Sequence, residues 1–204
     1  MIEAWHFVGS TLRDGRPIPP DGKWLVHTGK VEICATGLHA SRRPWHALQY
    51  APGPVLCRVE CDGIEAEQDD KLVCRRRRIV QRADITETLR YFARMQALSV
   101  IHLYDNPPDV VLDYLMTGDE SIRDAAWDAA GAAAWDAEGD AAGSAAWAAE
   151  GAAAGAAAWA AARDAAWAAA RTAASDAARV AASEAARVAA GIEFDALVNE
   201  QFGA

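Results

Sequence analysis

The side chains best suited to chemistry lie in the first 85 of the 204 positions: His6, His27, His39 and His46, the cysteines Cys34, Cys57, Cys61 and Cys74, and the run Arg75 to Arg78. Spacing limits what they can do. The histidines recur at no interval that dictates a metal site or a nucleophile–base–acid triad. Cys57 and Cys61 stand four apart in "VLCRVEC", which reads as a strand, so both thiols point to one face with Val59 between them. Without paired CxxC spacing they read as buried thiols, and no metal is expected. The arginine run could meet phosphates, but on a strand only alternate side chains share a face. The acids of "EAEQDD" stand just before it, so a solvated, internally compensated strand is the expectation and a nucleic-acid partner is not.

The segment "EICATGLHASRRPWHALQYAPG" holds the remaining candidates. His39 follows Gly37 in a turn and is open to two roles, a histidine satisfied by that turn or a binding residue. Gly37, Leu38, His39, Ala40, Ala47 and Tyr50, followed by "VLCRVE" and "DDKLVCRRRRIV", give the segment its pattern. Over about residues 1–85 it resembles an uncharacterised domain family of phages and prophages. Members of that family share a Gly-aromatic/Leu-His-Ala motif after a strand, then a short helix, then a strand ending in Glu, and often carry alanine-rich tails. The resemblance supplies no activity. It implies a phage setting, the host-cell cytoplasm, and a protein that binds or oligomerises, with a host defence factor as a target that it would inhibit. More distantly, the order "HFVGST", "GLHAS", "ALQY" is similar to the ADP-ribosyltransferase layout. That likeness implies NAD as cofactor, His6 on the nicotinamide ribose, Tyr50 lining the pocket, and Glu60 or Glu65 stabilising an oxocarbenium-like transition state. Two residues separate His6 from Gly9, and His39 stands where that family has an aromatic.

These residues need a scaffold, and its elements are legible. "EAWHFVGS" and "KWLVH" are short strand-like runs separated by the Pro/Gly loop "RDGRPIPPDG"; "GPVLCRVECDGIEAEQ" and "KLVCRRRRIVQ" are longer strands joined by an acidic turn. "RRPWHALQYA" reads as a short helix with Pro44 near its start and Trp45, Leu48 and Tyr50 able to face the sheet. "DITE" has capping-box form, with Asp84 as N-cap and Glu87 at the third helical position. The helix after it spaces Leu89, Phe92, Met95 (or Gln96) and Leu98 for one face and stops before "DNPP". A second helix begins at Pro108 or Asp109 and ends at Gly118.

From Ala125 to Gly191 small-residue pairs recur every four positions, and Trp follows such a pair at 127, 135, 147, 159 and 167. Alanine favours helix above all other states. A period of four overshoots the helical turn by about 40° per repeat, so one straight helix would spray its indoles round the whole circumference. Gly139 with Gly143, and Gly151 with Gly155, are natural breaks. Two or three helices folded on one another are therefore expected, with Trp127 and Trp135 sharing a stripe, as Trp159 and Trp167 do. Asp176 with Arg179 and Glu184 with Arg187 are i,i+3 pairs, and Val180, Val188, Ile192 and Phe194 read as core positions. Large indoles on an alanine background call for cover from within the chain, from a second copy or from a target, which makes Trp127, Trp135, Trp147, Trp159 and Trp167 candidate binding residues.

The expected fold class is α+β. A small, mostly antiparallel sheet domain with helices spans 1–83, a helical connector packed on it spans 84–123, and an Ala/Trp-rich helical hairpin or bundle arm spans 124–204. Residues 1–123 carry 16 Lys/Arg against 17 Asp/Glu and residues 124–204 carry 4 against 12, so most of the net charge of −9 lies in the alanine-rich part. That charge would repel phosphates, and the interspersed charges exclude a membrane span. With no secretory signal expected, the reading is a cytoplasmic protein with reduced thiols, protein partners or self-association, and no cofactor unless the transferase likeness holds.

Overall fold

The computed structural model describes residues 1–104, 106–136, 141–153 and 179–203. The fold is α+β, an antiparallel sheet followed by helices, and the chain divides into two compact units. One consists of Met1–Ile85 together with Phe194–Ala204; the other is Thr86–Glu193.

The sheet unit contains β1 (Ile2–Val8), β2 (Leu25–Val26), β3 (Leu38–Ala40), the short helix α1 (Pro44–Leu48), β4 (Val55–Glu67) and β5 (Leu72–Asp84). Every pairing is antiparallel, in the order β1-β4-β5-β2, with β3 also on β5. Ser41, just after β3, exchanges main-chain hydrogen bonds of 2.7 and 2.9 Å with Trp5 of β1, so the bonded path returns from β5 through β3 to β1. The β4–β5 hairpin, of two 13-residue strands, carries bulges at Arg58/Val59 and Ile64/Ala66, the kind of irregularity that bends and twists a long ladder.

Register assigns the faces. Ile2, Ala4, His6 and Val8 of β1 stand opposite Cys61, Val59, Cys57 and Val55 of β4, and Val59 and Cys61 stand opposite Ile79 and Arg77 of β5. Directly opposed residues share a face, and this one holds the apolar cluster of Ala4, Val8, Cys57, Val59, Cys61 and Ile79, joined by Ala40, Leu72 and Cys74. Trp5 and Phe7 lie on the other face and are also buried. Trp5 meets Phe202 edge-on at 5.0 Å, and Trp45 of α1 meets Phe194 at 6.1 Å. The Asp195 carboxylate accepts from the Trp45 main-chain N–H at 2.8 Å and from Arg43 Nε at 2.6 Å. It thereby caps α1, whose own N-cap residue, Arg43, makes no side-chain cap bond.

The helical unit contains α2 (Thr86–Val100), a 3-10 turn (Ile101–Leu103), α3 (Asp109–Thr117), α4 (Arg123–Asp136), α5 (Ala141–Ala153) and the first part of α6 (Arg179–Phe202). Asp84 is the last residue of β5. The next amide, that of Ile85, still donates to the Pro54 carbonyl, so α2 starts at Thr86. Its buried face runs Leu89, Phe92, Gln96, Val100, and Gln96 Nε2 donates to Glu193 Oε2 at 2.9 Å. Gly118, in left-handed conformation, ends α3 as expected. α2 and α3 pack with α4 and α5, so the boundary falls at Ile85/Thr86 and the residues expected to form a connector belong to the helical unit.

α4 and α5 pack together; Ala126 and Ala130 of α4 and Ala145, Ala146, Ala148, Ala149 and Ala152 of α5 are buried, and a Cβ added to Gly131 would stand 3.2 Å from Glu150 Oε1. Of the expected break points, Gly143 and Gly151 lie within α5; Gly139, Gly155 and the helix expected after Gly155 lie outside the described residues. Val188 and Ile192 are exposed rather than core. The inward row of α6 is Ala190, Phe194, Val198 and Phe202, a four-residue spacing that turns Val188 and Ile192 outward. Glu184 and Arg187 pair at 3.6 Å; Asp176 and the side chain of Val180 lie outside the described residues. No described helix is long and apolar enough to cross a membrane.

Candidate functional site

The arginine run of β5 divides according to strand geometry. Arg75 pairs with Glu65 at 2.7 Å, Arg76 with Asp62 at 3.1 Å and Arg78 with Glu60 at 2.6 Å, all carboxylates of β4. The Arg76 and Arg78 guanidiniums also lie over the Trp24 ring at 4.6 and 4.8 Å. Three of the four arginines are thus compensated locally, Arg75 by Glu65, the first acid of "EAEQDD", and Arg76 and Arg78 by Asp62 and Glu60 earlier on β4. Arg77 goes the other way. It is only 5% exposed, and its Nη1 donates to the main-chain oxygen of His39 on β3.

His6 and His39 flank this buried cation. Burial and then the Arg77 charge hold the His6 imidazole well below the usual value, with His39 contributing. His39 is lowered likewise, first by burial and then by Arg77, Arg13 and Lys71. Cys57, Cys61 and Cys74 are buried around the same guanidinium. Burial pushes the Cys57 thiol up to about 11. Cys74 is held low by a hydrogen bond with Cys61 and by the Arg77 charge, and its Sγ lies 3.2 Å from the carbonyls of Leu38 and Arg76. No group of three or more His, Cys, Asp or Glu able to hold a metal occurs among the described residues.

The Gly37-Leu38-His39-Ala40 motif sets up one edge of this region. Gly37 takes φ +111°, and a Cβ there would lie 2.6 Å from a Val73 methyl, which requires glycine. His39 Nε2 accepts from the Cys34 main-chain N–H at 3.1 Å, so its ring serves the turn that contains Cys34, itself left-handed at φ +69°. Tyr50, 51% exposed, donates to Asp70 and accepts from Lys71 Nζ at 3.1 Å, while that ammonium also stands 4.9 Å from the Tyr50 ring.

The residues implied by the transferase likeness are therefore not gathered together. Glu60 lies three positions from Cys57, the partner of His6, and so faces the opposite side of the sheet, where it is engaged by Arg78. Glu65 is engaged by Arg75. Of the tryptophans, Trp127 stands on α4 with 45% of its surface exposed. Trp135 and Trp147 belong to α4 and α5, with side chains outside the described set, and Trp159 and Trp167 lie outside the described residues.

Sequence reasoning missed Arg77 and Asp195. The first had a signal, since alternation through "RRRR" must send an arginine inward when Ile79 is core. The second had none, because a cap supplied from 150 residues away leaves no local pattern. No curated protein and no solved structure matches the chain. Residues 2–91, the sheet unit's strands with the start of α2, match the model of a family described as a domain of unknown function, DUF7666.

Proposed function

We propose that this chain is a binding protein that acts by protein–protein contact, with the helical unit as the contacting part. The observation that carries this reading is Trp127. Its neighbours Ala126 and Ala130 are fully buried against the other helices, yet the indole next to them is 45% exposed. An indole of about 250 Å² exposed to that extent leaves about 100 Å² of largely apolar surface, worth about 2.5 kcal/mol when covered. On α6, Val188 and Ile192 add a second exposed apolar pair one turn apart, at 48% and 60%. Alanine-rich packing gives a rigid support, and the acidic excess keeps such a surface soluble until a partner covers it. The phage setting of the family that residues 1–85 resemble supports a host protein as that partner, and a second copy of the chain is the other occupant. Sedimentation velocity across a wide concentration range tests the second copy directly. Association weakened by Trp127→Ala supports it, whereas a monomer at every concentration leaves the role to a different protein.

A further inference from the structure

We propose that the interior of the sheet unit binds a small oxyanion, a phosphate or carboxylate group, on the Arg77 guanidinium beside His6 and His39. The run itself supplies the contrast. Arg75, Arg76 and Arg78 each hold a carboxylate at 2.6–3.1 Å, whereas Arg77, the buried one, has none within ion-pairing distance among the described residues. Its guanidinium carries five N–H donors, and its bond among the described residues is the one from Nη1 to the His39 carbonyl. A charge taken out of water without a counter-charge is costly, which is why buried arginines are found paired.

Cys61, Cys74 and Cys57 favour the Arg77 charge, and none of them is a carboxylate; the cations of the region act on the imidazoles. Arg77 acts on both imidazoles, and Arg13 and Lys71 act on His39 as well. Other carboxylates of the sheet unit are engaged elsewhere: Asp70 by Tyr50, Asp21 by Arg82 and Glu67 by Arg42. A buried guanidinium with no carboxylate partner among the described residues, and with N–H groups to spare, suits a planar or tetrahedral oxyanion. The guanidinium edge offers it two parallel donors. An anion on Arg77 would draw protons onto the imidazoles of His6 and His39, on which the Arg77 charge acts.

Calorimetric titration of the full chain with inorganic phosphate, and separately with acetate, in chloride-free buffer tests this, alongside NMR titration of the histidine ring protons. Saturable binding is expected, with both ring midpoints moving to higher pH when the anion is present; which anion binds more tightly assigns the source. Arg13→Ala should weaken binding by about fivefold with the fold intact, as loss of one partly screened charge would. Arg77→Gln should abolish it, and because that variant can fail to fold, the Arg13 variant and the ring signals stand as independent readouts. Absence of any response of either ring up to tens of millimolar of both anions would overturn the proposal. So would a thiolate absorbance at neutral pH that disappears in Cys74→Ser, because the counter-charge to Arg77 would then be internal.

Discussion

Changing Asp195 to Ala removes a single carboxylate that does two things for the sheet unit. It accepts the Trp45 amide at 2.8 Å, and losing a helix cap of this kind costs about 1–2 kcal/mol. It also holds Arg43 at 2.6 Å; the Asp195 side chain is 16% exposed and that of Arg43 39%, so the ion pair contributes no more than about 1 kcal/mol after screening. The sum, about 2–3 kcal/mol, corresponds to a fall of about 1–2 M in the urea midpoint of the sheet unit. The conservative change separates the two roles. Asp195→Asn keeps an acceptor for the Trp45 amide and loses the charge, so it should cost about 1 kcal/mol. Hydrogen exchange at the amides of Trp45 and Ala47 reports on α1 specifically, and both should exchange faster in the Ala variant than in the Asn variant. If Asp195→Ala lies within about 0.5 kcal/mol of the parent, or if Asn is as damaging as Ala, the capping account of how the chain end holds α1 is wrong.

Other consequences follow from the same geometry. Gly37→Ala places a methyl 2.6 Å from Val73 at φ +111° and should destabilise the sheet unit by about 2–4 kcal/mol by urea unfolding, partly restored by Val73→Ala. Of the four thiols, Cys34 is exposed and the others are buried, so a disulfide reagent should titrate one quickly and three only in denaturant. His6 and His39 are held below their unfolded value, so below about pH 6.5 the unfolded chain binds protons that the folded one does not. Stability present above that pH should therefore fall by up to about 1.4 kcal/mol per pH unit for each ring, and His6→Asn should flatten the slope. With His6 and Glu60 on opposite faces, incubation with NAD should release no nicotinamide above background, and release abolished by His6→Ala would contradict that.

Local chemistry explains what was legible in the sequence. Pro44 begins α1, Gly118 ends α3, and the four-residue offset of Cys57 and Cys61 puts both thiols inside, because each of these depends on neighbours in the chain. The start of α2 at Thr86 was less legible, because a main-chain bond to Pro54, thirty-one residues away, keeps Ile85 with the sheet unit. Val188 and Ile192 looked like core on composition alone, and only the inward row that ends in Phe194, Val198 and Phe202 decides their direction. The Arg77 region had the same limitation. Its residues come from β1, β3, β4 and β5, and their convergence depends on register, which no single stretch encodes.

The most direct test of the central claim, that the helical unit presents Trp127 to a protein partner, is site-specific photocrosslinking. Trp127→benzoylphenylalanine in the full chain, irradiated in the cells that produce it, should yield one discrete adduct, at twice the chain mass for a second copy or at another fixed mass for a different protein. The same probe at Asp128, exposed beside it, should give the same adduct, and at buried Ala130 none. Absence of any adduct from position 127, with the substituted chain folded, would contradict the account.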